Sequence, residues 1–511
     1  MKNQFPKEIV EAINTLQNAG FEAYLVGGCV RDLVMGKAPA DWDATTNARP
    51  ENIQNLFAES VYENEFGTVR IITKSDDHAL KVIEITPFRK EAKYSDKRHP
   101  DAVTFANKLE DDLARRDFTI NAMALRFTND AKLITNDPEL MTNEDNNVIS
   151  HKLSSYKLID LFGGQNDIEK KIIRAVGNPN ERFGEDALRM MRAVRLAVQL
   201  GFAIEENTAR AIHEHAGLLR FIAKERIRDE LTKIIMSDRA AEGIELLRRL
   251  GLLSLFLPEL KEGWEVGQNK HHIYTVWEHN LRALAHAAKE KWELAVRIGA
   301  LFHDIAKPRC KVGDGPDSTF YNHEVVGAKM SFQILSRLRF PADLVKKVTT
   351  LVRYHLFYYN VGEVSESSVR RLIRRVGPEH MEDLIRVRIC DRIGSGVPKA
   401  EPYKLRHFRF LVEKLQRDPI STRMLNINGD TAKELTGIPQ SPKIGFLLQT
   451  LLEEVLDDPT KNTREYLEGR VKTLAAMSDS ELATLAKQAK EKTLGLEEEV
   501  VSRIKQKHWV K

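Results

Sequence analysis

The spacing of apolar and polar positions changes several times along the 511-residue chain, and the changes mark its parts. The opening stretch MKNQFPKEIVEAINTL sets apolar residues at helical intervals between charges, without the continuous apolar run of a secretion signal. Tyr24 to Val26 is then short and wholly apolar; Gly27-Gly28 follows, and Val30 to Met35 has a helical pattern, so the stretch reads strand, glycine turn, helix. Pro50 to Ala58 reads as another short helix, and Thr68 to Thr73 and Leu80 to Thr86 read as strands. In the second strand Glu84 shares a face with Leu80, Val82 and Thr86, opposite Ile83 and Ile85. Phe88 to Glu110 and Thr128 to Lys157 turn polar and lose any sustained period, which predicts loops; the first fits a segment that moves over a ligand and equally an ordinary solvated connection. Leu158 to Pro179 resumes as strand, glycine turn and strand.

From Gly184 helical spacing dominates. Ala187, Met190, Met191, Val194 and Val198 make one stripe, with Arg189, Arg192 and Arg195 on the other side. Phe202 to Leu255 continues in helices, with Gly251 as a stop. Helix-like segments fill most of Tyr274 to Asp391, and the last part opens with KLRHFRFLVEKLQR and ends in a charged helical stretch read as solvated. The pattern is α+β at the start and nearly all α afterwards.

Composition narrows this picture. The length suggests about three to four domains. Lys plus Arg number 78 against 74 Asp plus Glu, a net charge of +4, so any nucleic-acid surface is local. Cys29, Cys310 and Cys390 are odd in number and lack metal-type spacing, which fits reduced thiols in a cytoplasm. No apolar run is long enough to span a bilayer, and nothing in the sequence sets an oligomeric state.

The chemistry concentrates in Tyr24 to Ala48. Glycine at a strand-to-helix turn lets a ligand approach the backbone, and free N–H groups at a helix start favour phosphate. Asp41 and Asp43 alternate, so on an extended strand both carboxylates point to one face and call for a cation. Glu84 is a candidate third acid beside them. Each feature is common alone; in this order and spacing they resemble the signature of polymerase-β-like nucleotidyltransferases, specifically the class II tRNA CCA-adding enzymes and their poly(A) polymerase relatives. The resemblance implies transfer chemistry with Mg2+ on Asp41 and Asp43, and triphosphate held by Gly28, Arg31 and Arg116.

Further motifs carry the resemblance along the chain. Arg115 to Met123, RRDFTINAM, is similar to the family's RRDxxxNA motif; read as a helix it sets Asp117 and Asn121 on one face, with Asp117 toward the ribose. Glu185 to Arg189 matches EDxxR, which implies that Asp186 and Arg189 read the incoming base. A carboxylate accepts and a guanidinium donates, which suits the pairing edges of cytosine and adenine and rejects uracil and guanine. Arg192 is expected to reach the ligand, and Arg195 to touch phosphate or a neighbouring acid.

A second set, His279, His303-Asp304, His323, His355 and Asp391, resembles the HD phosphohydrolase superfamily and implies a divalent site, for a transition metal such as Mn2+ or Ni2+. Asn426 to Gly445 resembles the family's tRNA-binding body, with Lys443 and a turn near Gly445 toward acceptor-stem phosphates and Gln440-Ser441 in place of an expected glycine. The implied architecture is a head with a mixed sheet over 1–177, a helical neck over 178–255, an HD domain over 256–400 and a helical tail over 401–511. The implied activity is addition of C and A to the 3′ end of tRNA from CTP and ATP. The alternatives are a poly(A) polymerase, a CC-only or A-only enzyme, a phosphohydrolase with an RNA-binding head, and a non-catalytic RNA-binding protein.

Overall fold

A computed structural model describes residues 5–62, 67–91, 103–127, 156–269, 273–397, 399–417 and 422–510. Chain contacts divide it into two compact units, residues 1–353 with 390–396, and residues 354–389 with 397–511. The loop expected over Thr128 to Lys157 lies outside the described residues except for its last two, and so does 92–102 of the loop expected over Phe88 to Glu110; the described rest of the latter is ordered instead, Arg89–Glu91 pairing antiparallel with Val103–Phe105 before a helix starts at Leu109.

The first unit opens with strands β1 (Ala23–Val26), β2 (Asp43–Thr46), β3 (Ser60–Tyr62), β4 (Val69–Ile72), β5 (Val82–Pro87), β6 (Arg89–Glu91), β7 (Val103–Phe105), β8 (Met123–Phe127) and β9 (Tyr156–Asp160). Seven form one sheet in the order β3-β4-β5-β2-β1-β8-β9. Only β2 and β5 run parallel within it, with Asp43 opposite Glu84, so the sheet is mixed. Strand β1 is apolar throughout because both its faces are covered. Ala23 and Leu25 join a core with Ile9, Ile13 and Leu16 of the first helix, while Tyr24 and Val26 pack with Phe88, Leu109 and Leu113.

Local structure departs from the expected pattern in several places. Arg115 to Met123 is not one helix: a helix over Leu109–Ala114 ends, Phe118 is extended and bridges to Ala175, and a single tight turn covers Thr119–Asn121. The Phe118 N–H goes to the Asp117 carboxylate, a local bond that competes with helix continuation. A short helix, Gly164–Glu169, interrupts the expected strand pair of Leu158 to Pro179. The EDxxR stretch is broken as well: Glu185 ends the helix Pro179–Glu185, Asp186 is extended, and a new helix runs Leu188–Leu200. Strand β3 was not expected from the pattern; its burial is slight and its apolar residues Val61 and Tyr62 are exposed.

Beyond the sheet, the helices Leu188–Leu200, Lys224–Ile235 and Ala240–Arg249 bury the foreseen stripe, Met190, Met191 and Val194 among it, against Ile227, Leu231, Ile234, Ile244 and Leu247. The buried Arg297 donates to the carbonyls of Trp292, Ile235 and Ser237 at 2.8, 2.9 and 2.9 Å. In the second unit, Leu447, Leu451, Leu467, Val471, Leu474 and Leu482 form a core of their own. Its last helix, Asp479–Lys507, starts on a capping box of Ser478 and Glu481. Lys443 donates to the Met477 carbonyl and pairs with Asp479, and Gly445 lies inside the helix Pro442–Asp457, so no turn stands there to meet a phosphate. Among the described residues no helix is long and apolar enough to cross a membrane.

Candidate active site and metal centre

The glycine turn after β1 gathers the predicted head residues. Gly27 adopts φ +79°, open to glycine at little cost, and caps the helix Gly28–Val34. A Cβ on Gly27 would stand 3.1 Å from Arg116 Nη1 and 3.4 Å from Asp43 Oδ2; one on Gly28 would stand 3.9 Å from Asp41 Oδ1. Both aspartates therefore face the turn. Asp41 does so from the bend before β2 rather than from the strand itself. No described residue donates a hydrogen bond to either carboxylate. Burial and then Asp41 push the Asp43 carboxyl up to about 6, against the pull of Arg116. A partly desolvated acid facing a second one favours a bound cation. Glu84, beside Asp43 in register, accepts two bonds from Arg70 at 3.0 and 2.9 Å, which fits a cross-strand ion pair.

The other predicted groups form a connected network. Arg31 Nη1 donates to Asn121 Oδ1 at 2.9 Å, and Arg31 also bonds Asp32. Asn121 donates to Asp117 Oδ1 at 3.4 Å, so the two stay together although no helix joins them. Arg192 closes on Asp117 Oδ2 at 2.6 Å. Burial would raise the Asp117 carboxyl, but Arg192 and Arg189 hold it down at about 2. Arg189 itself bonds Glu185 Oε2 at 2.7 Å and the Arg115 carbonyl at 3.1 Å, not Asp186. Asp186 caps the next helix through the Leu188 N–H at 2.9 Å and pairs with Arg226. Arg195 meets a neighbouring acid, Glu230, at 3.2 Å.

Sequence reasoning missed three supporting residues. Asp112, wholly buried, holds Arg115 at 2.6 Å and Arg116 at 3.2 Å; its signal was an acidic run just before the RRD motif. Lys307 stands 2.6 Å from Asp304, three residues after it along the chain. Arg226 lies 40 residues from Asp186 and gave no local sign.

The second constellation also assembles. His279 sits on the helix Val276–Lys289, His303 caps Leu294–Phe302, His323 begins His323–Arg337 and Asp391 lies on Met381–Gly394. One ligand atom each of His279, His303, Asp304 and Asp391 falls within 4.8 Å of all the others, every residue buried. The two Nε2 atoms of His279 and His303 are 2.8 Å apart, and His279 Nε2 is 3.0 Å from Asp304 Oδ2. His303 Nδ1 faces the Ala300 carbonyl at 2.8 Å and His323 Nδ1 the Phe320 carbonyl at 2.6 Å. Protonated there, each ring turns its Nε2 lone pair inward as a ligand atom. His323 Nε2 lies 3.1 Å from Asp304 Oδ1. Burial works against a charge on His303, yet with no cation at the centre Asp304 and Asp391 raise it to about 10, so the ring holds a second proton on Nε2 that a bound metal would displace. Imidazole nitrogens with carboxylate oxygens suit a first-row transition metal. Gly394 lets its helix close on this centre: a Cβ there would meet the His279 carbonyl at 2.8 Å. His355 is buried and belongs to the second unit, immediately after its boundary.

Residues 23–137 match the family described as Poly A polymerase head domain, 201–263 the probable RNA and SrmB-binding site of polymerase A, and 276–393 the HD domain. A CCA-adding enzyme of Geobacillus sp. (strain WCH70) is 41% identical over 467 residues, 91% of this chain and 96% of that protein. An A-adding tRNA nucleotidyltransferase of Deinococcus radiodurans is 31% identical over 450 residues, 84% of this chain and 91% of that one. Against CCA-adding enzymes of Limosilactobacillus reuteri the identity is 44% and the match covers 52% of their length, so the chain spans about half the length of those curated relatives. The crystal structure of the Bacillus stearothermophilus CCA-adding enzyme in complex with CTP superposes with a TM-score of 0.55 at 26% identity, covering 92% of this chain and 97% of that one. The chain belongs to the family of CCA-adding tRNA nucleotidyltransferases.

Proposed function

We propose that the protein adds C and A nucleotides to the 3′ end of tRNA, from CTP and ATP and without a nucleic-acid template, in the cytoplasm. The observation that carries this reading is the pair Asp41 and Asp43, without donors among the described residues, facing a glycine turn beside Arg116. Nucleotidyltransferases of this family use divalent metals. We assign Mg2+ to Asp41 and Asp43, where it would supply an acidified RNA 3′-hydroxyl and charge neutralisation at the α-phosphate. Gly27 and Gly28 let the triphosphate approach the backbone, and Arg31 and Arg116 hold it. Asp117, set by Asn121 and Arg192, faces the ribose, and Asp186 with Arg189 reads the base edge. The RNA 3′-oxygen bonds to the α-phosphorus, the α–β bridge breaks and pyrophosphate leaves. We divide the chain into a head (1–177), a neck (178–255), an HD domain (256–400) and a tail (401–511), the last meeting the acceptor stem.

Transcripts ending at the discriminator base, at C or at CC, incubated with each NTP, test the reading. Stepwise C, C, A addition supports it, addition of A alone to a CC end makes the protein an A-adding enzyme like the Deinococcus relative, and a run of A makes it a poly(A) polymerase. No addition at all refutes it. The second centre supports a further activity, hydrolysis of a terminal or cyclic phosphate on tRNA ends with Mn2+ or Ni2+ on His279, His303, Asp304, His323 and Asp391. Metal analysis of purified protein and phosphate release from such ends test it; neither metal nor release excludes it.

A further inference from the structure

We infer that Arg226 is the positioning residue for base selection: it fixes the Asp186 carboxylate so that one acceptor site is left for the incoming base. The inference rests on the base-reading role proposed for Asp186. Arg226 Nη2 lies 2.7 Å from Asp186 Oδ2 and Nη1 lies 3.3 Å from Oδ1, a two-pronged grip that sets the plane of the carboxylate. The Leu188 N–H takes a further position on Oδ1 at 2.9 Å. An ionised carboxylate offers about four lone-pair sites. Two on Oδ1 and one on Oδ2 are used within the chain, so the remaining site is on Oδ2. One acceptor matches the single exocyclic amino group that cytosine and adenine present on the pairing edge, and it repels the carbonyl that uracil and guanine present there.

The grip also ties two elements together. Arg226 is on the helix Lys224–Ile235, which carries Glu230, and Glu230 meets Arg195 of the helix Leu188–Leu200. The base-reading helix is thus held at its first residue through Asp186 and again about two turns on. The Asp186 carboxylate is only 15% exposed and Arg226 28%, so the pair is shielded enough to keep one geometry. A salt bridge serving folding alone would give the same contact, and the test has to separate the two.

The experiment compares kcat/KM for CTP, ATP, UTP and GTP on a tRNA transcript ending at the discriminator base, for wild type, Arg226→Gln, Arg226→Lys and Asp186→Asn. Thermal unfolding midpoints serve as a folding control. Loss of a fixed bidentate geometry is expected to lower the CTP-to-UTP ratio by about tenfold or more in Arg226→Gln. Arg226→Lys, with its charge kept and one prong lost, is expected between that variant and wild type. A general loss of stability would lower all four nucleotides together and leave the ratio unmoved. A wild-type ratio in a folded Arg226 variant, with the ratio lost in Asp186→Asn, overturns the positioning role and leaves base reading by Asp186 standing. A wild-type ratio in Asp186→Asn overturns the base reading itself.

Discussion

Asp43→Asn should stabilise the metal-free protein while abolishing nucleotide addition. Burial and the neighbouring Asp41 raise the Asp43 carboxyl from 3.8 to about 6. Each pKa unit is worth about 1.4 kcal/mol, so the ionised group costs the folded state at most about 3 kcal/mol; water reaches part of this side chain, which reduces the figure to about 1–2 kcal/mol. The sign follows from proton binding. Below pH ~4 the group is protonated folded and unfolded and costs nothing; as pH rises to about 6 the unfolded chain ionises first and stability falls; above that the penalty is constant. An amide of the same shape carries no charge and escapes it. The assay is thermal unfolding with chelator, at pH 7.5 and pH 5, followed by titration with Mg2+. At pH 7.5 without metal the variant should melt a few degrees higher, roughly 2–4 °C per kcal/mol. The gap should shrink at pH 5. Mg2+ should raise the wild-type midpoint and leave the variant nearly unmoved, because a ligand stabilises only the state that binds it. A variant that melts lower at pH 7.5, or a gap unchanged at pH 5, would refute the account of Asp43 as an acid held ready for a cation.

Other perturbations have distinct readouts. Asp117→Asn removes a carboxylate held at about 2 by Arg192 and Arg189, and should cost about 2 kcal/mol in urea unfolding at pH 7. That cost should stay constant down to about pH 5 and fade only as pH falls through about 4 towards 2, the window between unfolded and folded values. Asp112→Ala leaves Arg115 and Arg116 without their buried partner and should destabilise by about 3–5 kcal/mol, with a raised KM for both NTPs in steady-state assays. His303→Ala should lose bound Mn2+ or Ni2+ by mass spectrometry of the native protein while C and A addition persists, because the glycine-turn site does not use it; loss of both would mean that the two centres are not independent.

What the sequence made legible follows the range of the interactions involved. The strand-turn-helix of Tyr24 to Val34 was readable because β1 is buried on both faces and the turn needs a positive φ, both written locally. The apolar stripe of Leu188–Leu200 was readable for the same reason, since periodicity encodes burial. The RRD and EDxxR stretches were misread as continuous helices. In each an aspartate side chain bonds a backbone N–H one or two residues on, Asp117 to Phe118 and Asp186 to Leu188, and ends helical order at the residue with the chemistry. The partners of those aspartates come from 75 and 40 residues away, beyond any window of sequence pattern.

That long-range pairing explains why the arginines of one helix do different work. Arg189, Arg192 and Arg195 recur at three-residue steps and look like one solvated basic face, yet each meets an acid from a different segment: Glu185 from the preceding helix, Asp117 from the head, Glu230 from the helix Lys224–Ile235. Turning the helix by one residue would rotate it about 100° and break all three pairs at once. The seat of this helix beside Asp117 is therefore fixed by charge as well as by the buried methionines. Through Arg192 the same helix sets the carboxylate assigned to the sugar, and Asp186 at its start is the carboxylate assigned to the base. On the proposed assignment, selection of ribose and selection of base would share one element, so a substitution that shifts this helix should alter both selectivities together, whereas a change at the glycine turn should alter rate and leave selectivity intact.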